Sequence, residues 1–452
     1  MTKTPLFDAI AGYAARNPVR FHTPGYAGRF NPLSAAGDIG RFDVTELPGL
    51  QSLFEDKGAI FEAEKLAAAL FGAQKTCFSA GGNTLCIQTM LASVRLRGRE
   101  IICARNVHRS VVNAFALLEF DPVWIYGDGS AGSGLFGRIT GESVREQLRR
   151  QKQTAAVFVT SPDYYGVMSD IKGISEACGE YGVPLLVDNA HGSHLIAFDG
   201  LHPIRSGAAM SADSAHKTLP VLTGGAWLHI NRREFAEQAK RHMAIFGSTS
   251  PSYPIMASLD LCREWLDTEG KEAFSRLSGR VGEMRELCRR GGIPVIEGGL
   301  TDPVRLTMRV SSVGISGQRA YEHFWQNGIS AEYGDGDYLV LIPTAFHTPE
   351  DFERLERQIS SLLSCQGGAN NNSDTESALK TPPKRADMSI REAAVLSGTS
   401  RIDVTQAVGR VAAETACQCP PGVPIVVPGE IIDENIKSLA LKAGIFTIDV
   451  VE

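Results

Sequence analysis

Two kinds of apolar pattern alternate along residues 60–230. IFEAEKLAAALFG (60–72) and HRSVVNAFALLE (108–119) space their apolar residues three and four apart, which predicts amphipathic helices. TLCIQTMLASVRL (84–96) reads as a helix opening behind a glycine pair, and SDIKGISEACGEYG (169–182) as another, capped by Ser169 and ending at a glycine. Between them lie short, uniformly apolar runs: EIICA (100–104), PVWIYG (122–127), AAVFVTS (155–161) and VPLLVDN (183–189). Such runs predict strands buried on both faces, and their alternation with helices predicts an α/β fold around a mainly parallel sheet. Ligands of such sheets bind beyond the carboxyl ends of the strands, so the residues following each run are the first place to look for chemistry.

Residues 255–290 read as long helices. From about 294 to 363 the chain turns strand-rich (PVRLTMRVSS, DYLVLIP) and closes in the helix PEDFERLERQISSLLS. The organisation this implies is an N-terminal segment (1–50), a large ligand-binding domain (51–290), a small α+β domain (291–364), a polar flexible linker (365–387) and a C-terminal domain (388–452). The last carries a helix at IREAAVL, a proline-rich turn at PPGVPIVVPGE, and a final helix and strand.

With 452 residues, 43% hydrophobic and 21% charged, this is the composition of a globular protein of several domains. No run of about 18 uncharged apolar residues and no signal-peptide core is present, so neither a membrane span nor export is expected, and the expected location is the cytoplasm. A net charge of -6 offers no basic face for nucleic acid. The nine cysteines contain no CxxC pair, and the spacing of Cys417 and Cys419 does not suit zinc; reduced thiols and no metal site are expected. The 46 glycines and 22 prolines cluster between apolar runs, where α/β enzymes keep their ligand loops.

Four pieces fall after predicted strands or at loop–helix junctions. Ser79-Ala80-Gly81-Gly82-Asn83-Thr84 runs into a helix whose free N–H groups suit an anion. Asp188 ends the most strand-like run. Ser214, His216 and Lys217 stand in SADSAHKTLPVLTGG (211–225), and His108 follows the run 100–104. Each alone has a plain reading: a turn, a strand-end carboxylate, a surface lysine, a capping histidine. As a set they supply what pyridoxal phosphate requires, namely a Schiff-base lysine, a carboxylate for the pyridinium nitrogen, a phosphate cradle and a flat group over the ring. Their order along the chain suits the aspartate-aminotransferase-like fold, fold type I.

At RNVHRSV, SPDYYGV, VDNAHGSH, SAHKTLP and PPGVPIVVPGE, and more loosely at HTPGYAGR and DVTELPGL, the chain resembles the Orn/Lys/Arg decarboxylase family in its short form. The likeness runs from about residue 20 to 430. It implies a PLP-dependent carboxy-lyase releasing CO2 and an amine from a basic amino acid or a related non-standard one. It assigns the Schiff base to Lys217, the pyridine nitrogen to Asp188, and the two ring faces to His108 and Ala190. Gly82, Asn83, Thr84, Ser214 and His216 would surround the phosphate, and Ser248, Thr249 and Ser250 (GSTSPSY) would reach the site of a neighbouring subunit. A homodimer or dimer-based oligomer is implied; with HTPG beginning at residue 22, the wing domain of the long members and its decamer are not expected.

The chain departs from the family pattern in four places. Tyr26 stands for a histidine, and Gln51-Ser52-Leu53-Phe54 for Asp-Asp-Leu-His. Asn189 stands for a glutamate, and Cys419 for an aromatic before the prolines. These thin the polar groups expected near the substrate, leaving Glu430, Tyr26 and Tyr165 as its candidate contacts. Other fold type I chemistry stays open: transamination with Arg305 or Arg309 holding the α-carboxylate, β-elimination, or aldol cleavage. So does a catalytically silent PLP-binding regulator.

Overall fold

The computed structural model describes residues 4–34, 37–129, 135–364 and 382–452. Its centre is a seven-stranded sheet formed by β1 (Lys75–Ser79), β2 (Glu100–Ala104), β3 (Asp121–Ile125), β4 (Ala156–Thr160), β5 (Leu185–Asp188), β6 (Met210–Asp213) and β7 (Ala226–Ile230). They lie in the order β1-β7-β6-β5-β4-β2-β3, and only β7 runs antiparallel to its neighbours. Alternation along the strands divides the core into two layers. Phe158 and Leu186 pack with Leu85, Met90, Val111 and Phe115 on one face. Val157, Val159, Leu185 and Val187 pack with Val144, Leu148 and Ile174 on the other. Being buried on both faces is what makes these strands uniformly apolar in sequence.

The predicted helices over 60–72, 84–96 and 108–119 form at Gly58–Phe71, α1 (Gly82–Val94) and α2 (Arg109–Leu118). The expected cap at Ser169 is not made. Asp170 accepts from Gly173 N and caps Ile171–Glu180, while Ser169 Oγ accepts the Ile139 N–H at 3.1 Å.

The N-terminal segment is not separate. Val19–Phe21 pairs in parallel with Ile329–Ala331, joining the small domain, whose antiparallel strands Leu306–Arg309 and Tyr338–Leu341 flank the unpredicted helix Gly317–Gln326. The end of the expected linker is likewise ordered: Ile431 N donates to Lys384 O and Ala386 N to Gly429 O. The rest of that linker, 365–381, lies outside the described residues. In the C-terminal domain, Thr399–Asp403 pairs with Thr447–Val451 over a core of Val404, Ile432, Ile436 and Ile448. Among the described residues no helix is long and apolar enough to cross a membrane.

Candidate active site

Asp188 ends β5, wholly buried. Asn83, in the first turn of α1, donates its amide to Asp188 Oδ1 at 2.8 Å, and Ala190 N donates to the same oxygen at 3.1 Å. The second oxygen therefore has no hydrogen-bond partner among the described residues. Burial pushes the carboxyl up to about 6 against the pull of Lys217, so a cation placed beside it would be strongly stabilising. Among the described residues, none caps the N-terminus of α1 with its side chain and none pairs with the buried Asn83 Oδ1. An uncapped helix end beside a buried anion suits a ligand carrying both phosphate and cationic nitrogen. Gly82 and Thr84 open this helix as the sequence predicts, with Thr84 exposed.

Lys217 lies in a single helical turn, α3 (Ala215–Thr218), directly after β6. The HTPG motif holds this turn from behind. Gly25 N donates to His216 O at 2.9 Å, and a Cβ at Gly25 would sit 2.3 Å from the backbone of Thr218 and Leu219. Only glycine permits that approach. Ser214 precedes the turn, buried, and His216 Nδ1 faces Gly225 O at 3.0 Å. Burial lowers the His216 imidazole to about 4 and also depresses the Lys217 amine, which Asp188 and Glu332 partly restore. Lys217 Nζ stands 3.0 Å from His191 Nε2, and Arg305 Nη2 stands 3.3 Å from His191 Nδ1. Sequence reasoning overlooked His191, two residues beyond the Asp188–Asn189 strand end where a ligand group was to be sought.

His108 caps α2: its Nδ1 accepts from Ser110 N and lies 2.8 Å from Ser110 Oγ. Burial, with the charge of Lys217 second, lowers it to about 4, so the ring is neutral and free to stack. The proline-rich turn reaches this ring. Gly422, at φ +76°, is so close that a Cβ there would lie 2.6 Å from His108 Cδ2, and Gly422 O accepts from Arg109 N at 2.9 Å. The C-terminal domain thus braces a residue assigned to the cofactor ring.

A second acidic residue acting on Lys217, after Asp188, is Glu332 from the small domain, which the sequence reading missed. Its carboxylate accepts from Tyr164 Oη at 2.8 Å and Thr23 N at 3.0 Å. Tyr164 also meets the His191 ring edge-on at 5.2 Å. Tyr165, the expected substrate contact, instead turns its hydroxyl to Asp335 at 2.8 Å; its neighbour Tyr164 is the tyrosine of the site.

Glu430 is engaged through Oε2, while its buried Oε1 has no hydrogen-bond partner among the described residues. It is 1% exposed, accepts from Arg105 Nη2 at 3.0 Å and Val427 N at 2.9 Å, and so ties the C-terminal domain to the residue that follows β2. Tyr26 is half-buried in the turn behind Gly25; burial raises its phenol, against the charge of Arg20. Of the residues that depart at 51–54, Gln51, Ser52 and Phe54 are half-buried, and Phe54 packs against the main apolar cluster and Gly247. Asn189 also has a local cause. Its amide donates to Asp213 at 2.8 Å, alongside His202 at 2.9 Å, and a glutamate there would oppose a second buried carboxylate. Arg305 is buried against His191 and Asp302, whereas Arg309 acts on Tyr338. Ser248, Thr249 and Ser250 are exposed on the single chain.

The orphaned Asn83 Oδ1, the open Asp188 oxygen, the uncapped α1 and the half-buried lysine fit pyridoxal phosphate. Comparison with known proteins agrees. Residues 4–304 match the model of the Orn/Lys/Arg decarboxylase major domain, and 374–441 that of its C-terminal domain. Arginine decarboxylases of Halalkalibacterium halodurans and Bacillus subtilis are each 32% identical, over 96% and 97% of this chain and 92% and 93% of theirs. Among solved structures, the constitutive lysine decarboxylase of E. coli superposes with a TM-score of 0.75 at 19% identity, covering 100% of this chain and 82% of that one. Lysine decarboxylase A of Pseudomonas aeruginosa gives 0.77 at 19%, covering 99% and 80%.

Proposed function

The chain belongs to the Orn/Lys/Arg decarboxylase family, and from that premise we propose that it decarboxylates a basic amino acid, arginine foremost. It is a PLP-dependent amino-acid decarboxylase of fold type I. The observation that carries the reading is the half-buried Lys217 and the buried Asp188 beside an uncapped helix, all at the carboxyl ends of the sheet.

When bound, pyridoxal phosphate supplies the sink for the electron pair that CO2 leaves behind. Lys217 would hold it, Asp188 would keep its ring nitrogen protonated, and His108 and Ala190 would fix the plane of its ring. Ser214, His216, Asn83, Thr84 and the Gly82 turn would receive the phosphate. Glu332 is the carboxylate facing this site, and a bidentate acceptor of that kind suits a guanidinium or ammonium at the far end of a substrate. Arg305 engages His191 through Nη2, while its buried Nη1 has no hydrogen-bond partner among the described residues, so the product assay is what separates decarboxylation from transamination. Ser248, Thr249 and Ser250 would complete the site of a second copy in a homodimer working in the cytoplasm.

The test is CO2 release from arginine, lysine, ornithine and uncharged amino acids with the cofactor added. Release from arginine above the others supports the proposal; keto-acid formation without CO2 overturns it.

A further inference from the structure

The half-buried Lys217 and the buried His191 and Arg305 form a line of three nitrogen groups, with contacts of 3.0 Å and 3.3 Å. The chemistry of each fixes the protons. A guanidinium has donors only, so Arg305 Nη2 donates and His191 Nδ1 accepts. Burial, with the permanently charged Arg305 guanidinium beside it, holds His191 well below its ordinary value, so the ring is neutral. A neutral imidazole whose Nδ1 is an acceptor carries its one proton on Nε2. That N–H points at Lys217 Nζ, which must then offer a lone pair.

We propose that Arg305 is a positioning residue that holds His191 in the Nε2–H tautomer, so that His191 keeps Lys217 as an uncharged amine ready for the cofactor aldehyde. This rests on the reading of Lys217 as the cofactor lysine. In the capture step the amine nitrogen forms a C=N bond to the aldehyde carbon. Its two protons leave with the carbonyl oxygen as one water.

The other groups facing Lys217 pull in both directions. Asp188 from β5, Glu332 from the small domain and Cys419 from the proline-rich turn favour the ammonium. Arg305 opposes it directly, and His108 and His216 are themselves neutral at this site. With two carboxylates favouring charge, an acceptor nitrogen on His191 would stabilise the ammonium further; a donor there does the reverse. Arg305 is well placed to enforce the donor. It is buried, with its Nε 3.8 Å from Asp302, and Asp302 is held in turn by His194 at 3.0 Å. Tyr164 closes the edge of the His191 ring.

The experiment follows the pH dependence of pyridoxal 5'-phosphate capture by the cofactor-free protein, trapped with borohydride. Arg305→Met should slow capture at pH 7 by about tenfold or more and raise its pH midpoint by about one unit. Arg305→Lys, which keeps a donor, should restore both. In a His191→Phe background Arg305→Met should have little further effect, since Arg305 acts through the imidazole. A full effect in that background would mean that its charge acts on Lys217 directly, and would overturn the proposal. Nitrogen-15 histidine spectra of the unmutated protein give a readout independent of any variant's folding. His191, assigned by its loss in His191→Phe, should show a bare Nδ1 and a protonated Nε2; the opposite tautomer overturns the assignment. None of these measurements uses a substrate, so failure to release CO2 from any amino acid would refute the proposed reaction while leaving this arrangement standing.

Discussion

Asp188→Asn should stabilise the cofactor-free protein and abolish its preference for the cofactor. The carboxyl is fully buried and raised to about 6, against about 3.9 in an unfolded chain. Between those two values the folded state holds a proton that the unfolded state has released. Stability of the unmutated protein therefore falls as pH rises through that window, by at most about 3 kcal/mol for two units. An asparagine carries no such charge. It still accepts from Asn83 and Ala190, but through a neutral oxygen, at a cost of about 1 kcal/mol. The variant should thus gain about 1–2 kcal/mol at pH 7–8, and nothing near pH 4. Urea unfolding of both proteins without cofactor, from pH 4.5 to 8, measures the difference. Repeating it with saturating pyridoxal phosphate should reverse the order, because only a carboxylate can hold the protonated ring nitrogen. A variant less stable than its parent at pH 8, or a difference independent of pH, would refute the reasoning.

Lys217→Ala should lose all CO2 release and the absorbance of the lysine-bound cofactor; turnover at the parent rate would remove Lys217 from its role. Gly422→Ala adds a Cβ 2.6 Å from His108 Cδ2 at a positive φ, so cofactor affinity by equilibrium dialysis should fall at least tenfold, with a folding cost of about 1–2 kcal/mol from the backbone alone. Glu430→Ala strands the buried Arg105 and should destabilise the chain by about 3–5 kcal/mol in denaturant unfolding, whereas an exposed pair such as Lys65–Glu62 should change it by less than about 1 kcal/mol. Glu332→Gln should raise KM for arginine at least tenfold while the bound-cofactor spectrum stays unchanged; an equal effect on an uncharged substrate would take Glu332 out of cation recognition.

By itself the sequence determined the sheet and pointed to a candidate cofactor lysine and the carboxylate that acts on it. Uniformly apolar strands between amphipathic helices admit few architectures, and a parallel sheet puts its strand ends, Asp188 among them, at one rim. The phosphate-side helix was legible for the same reason, since a glycine pair ahead of a periodic run leaves free N–H groups. Contacts between segments far apart in the chain were decided only by tertiary structure. Glu430 reads as a substrate ligand until Arg105, more than three hundred residues earlier, takes its charge. Tyr164 and Tyr165 are adjacent and chemically alike, and the small domain alone separates them by offering Glu332 to one and Asp335 to the other. Asn189 departs from the family pattern, yet it answers Asp213 from the next strand, where a second buried carboxylate would repel the first. The protonation of Lys217 is likewise a matter of tertiary structure. It follows from an imidazole and a guanidinium contributed by two domains, and a lone pair has no sequence pattern.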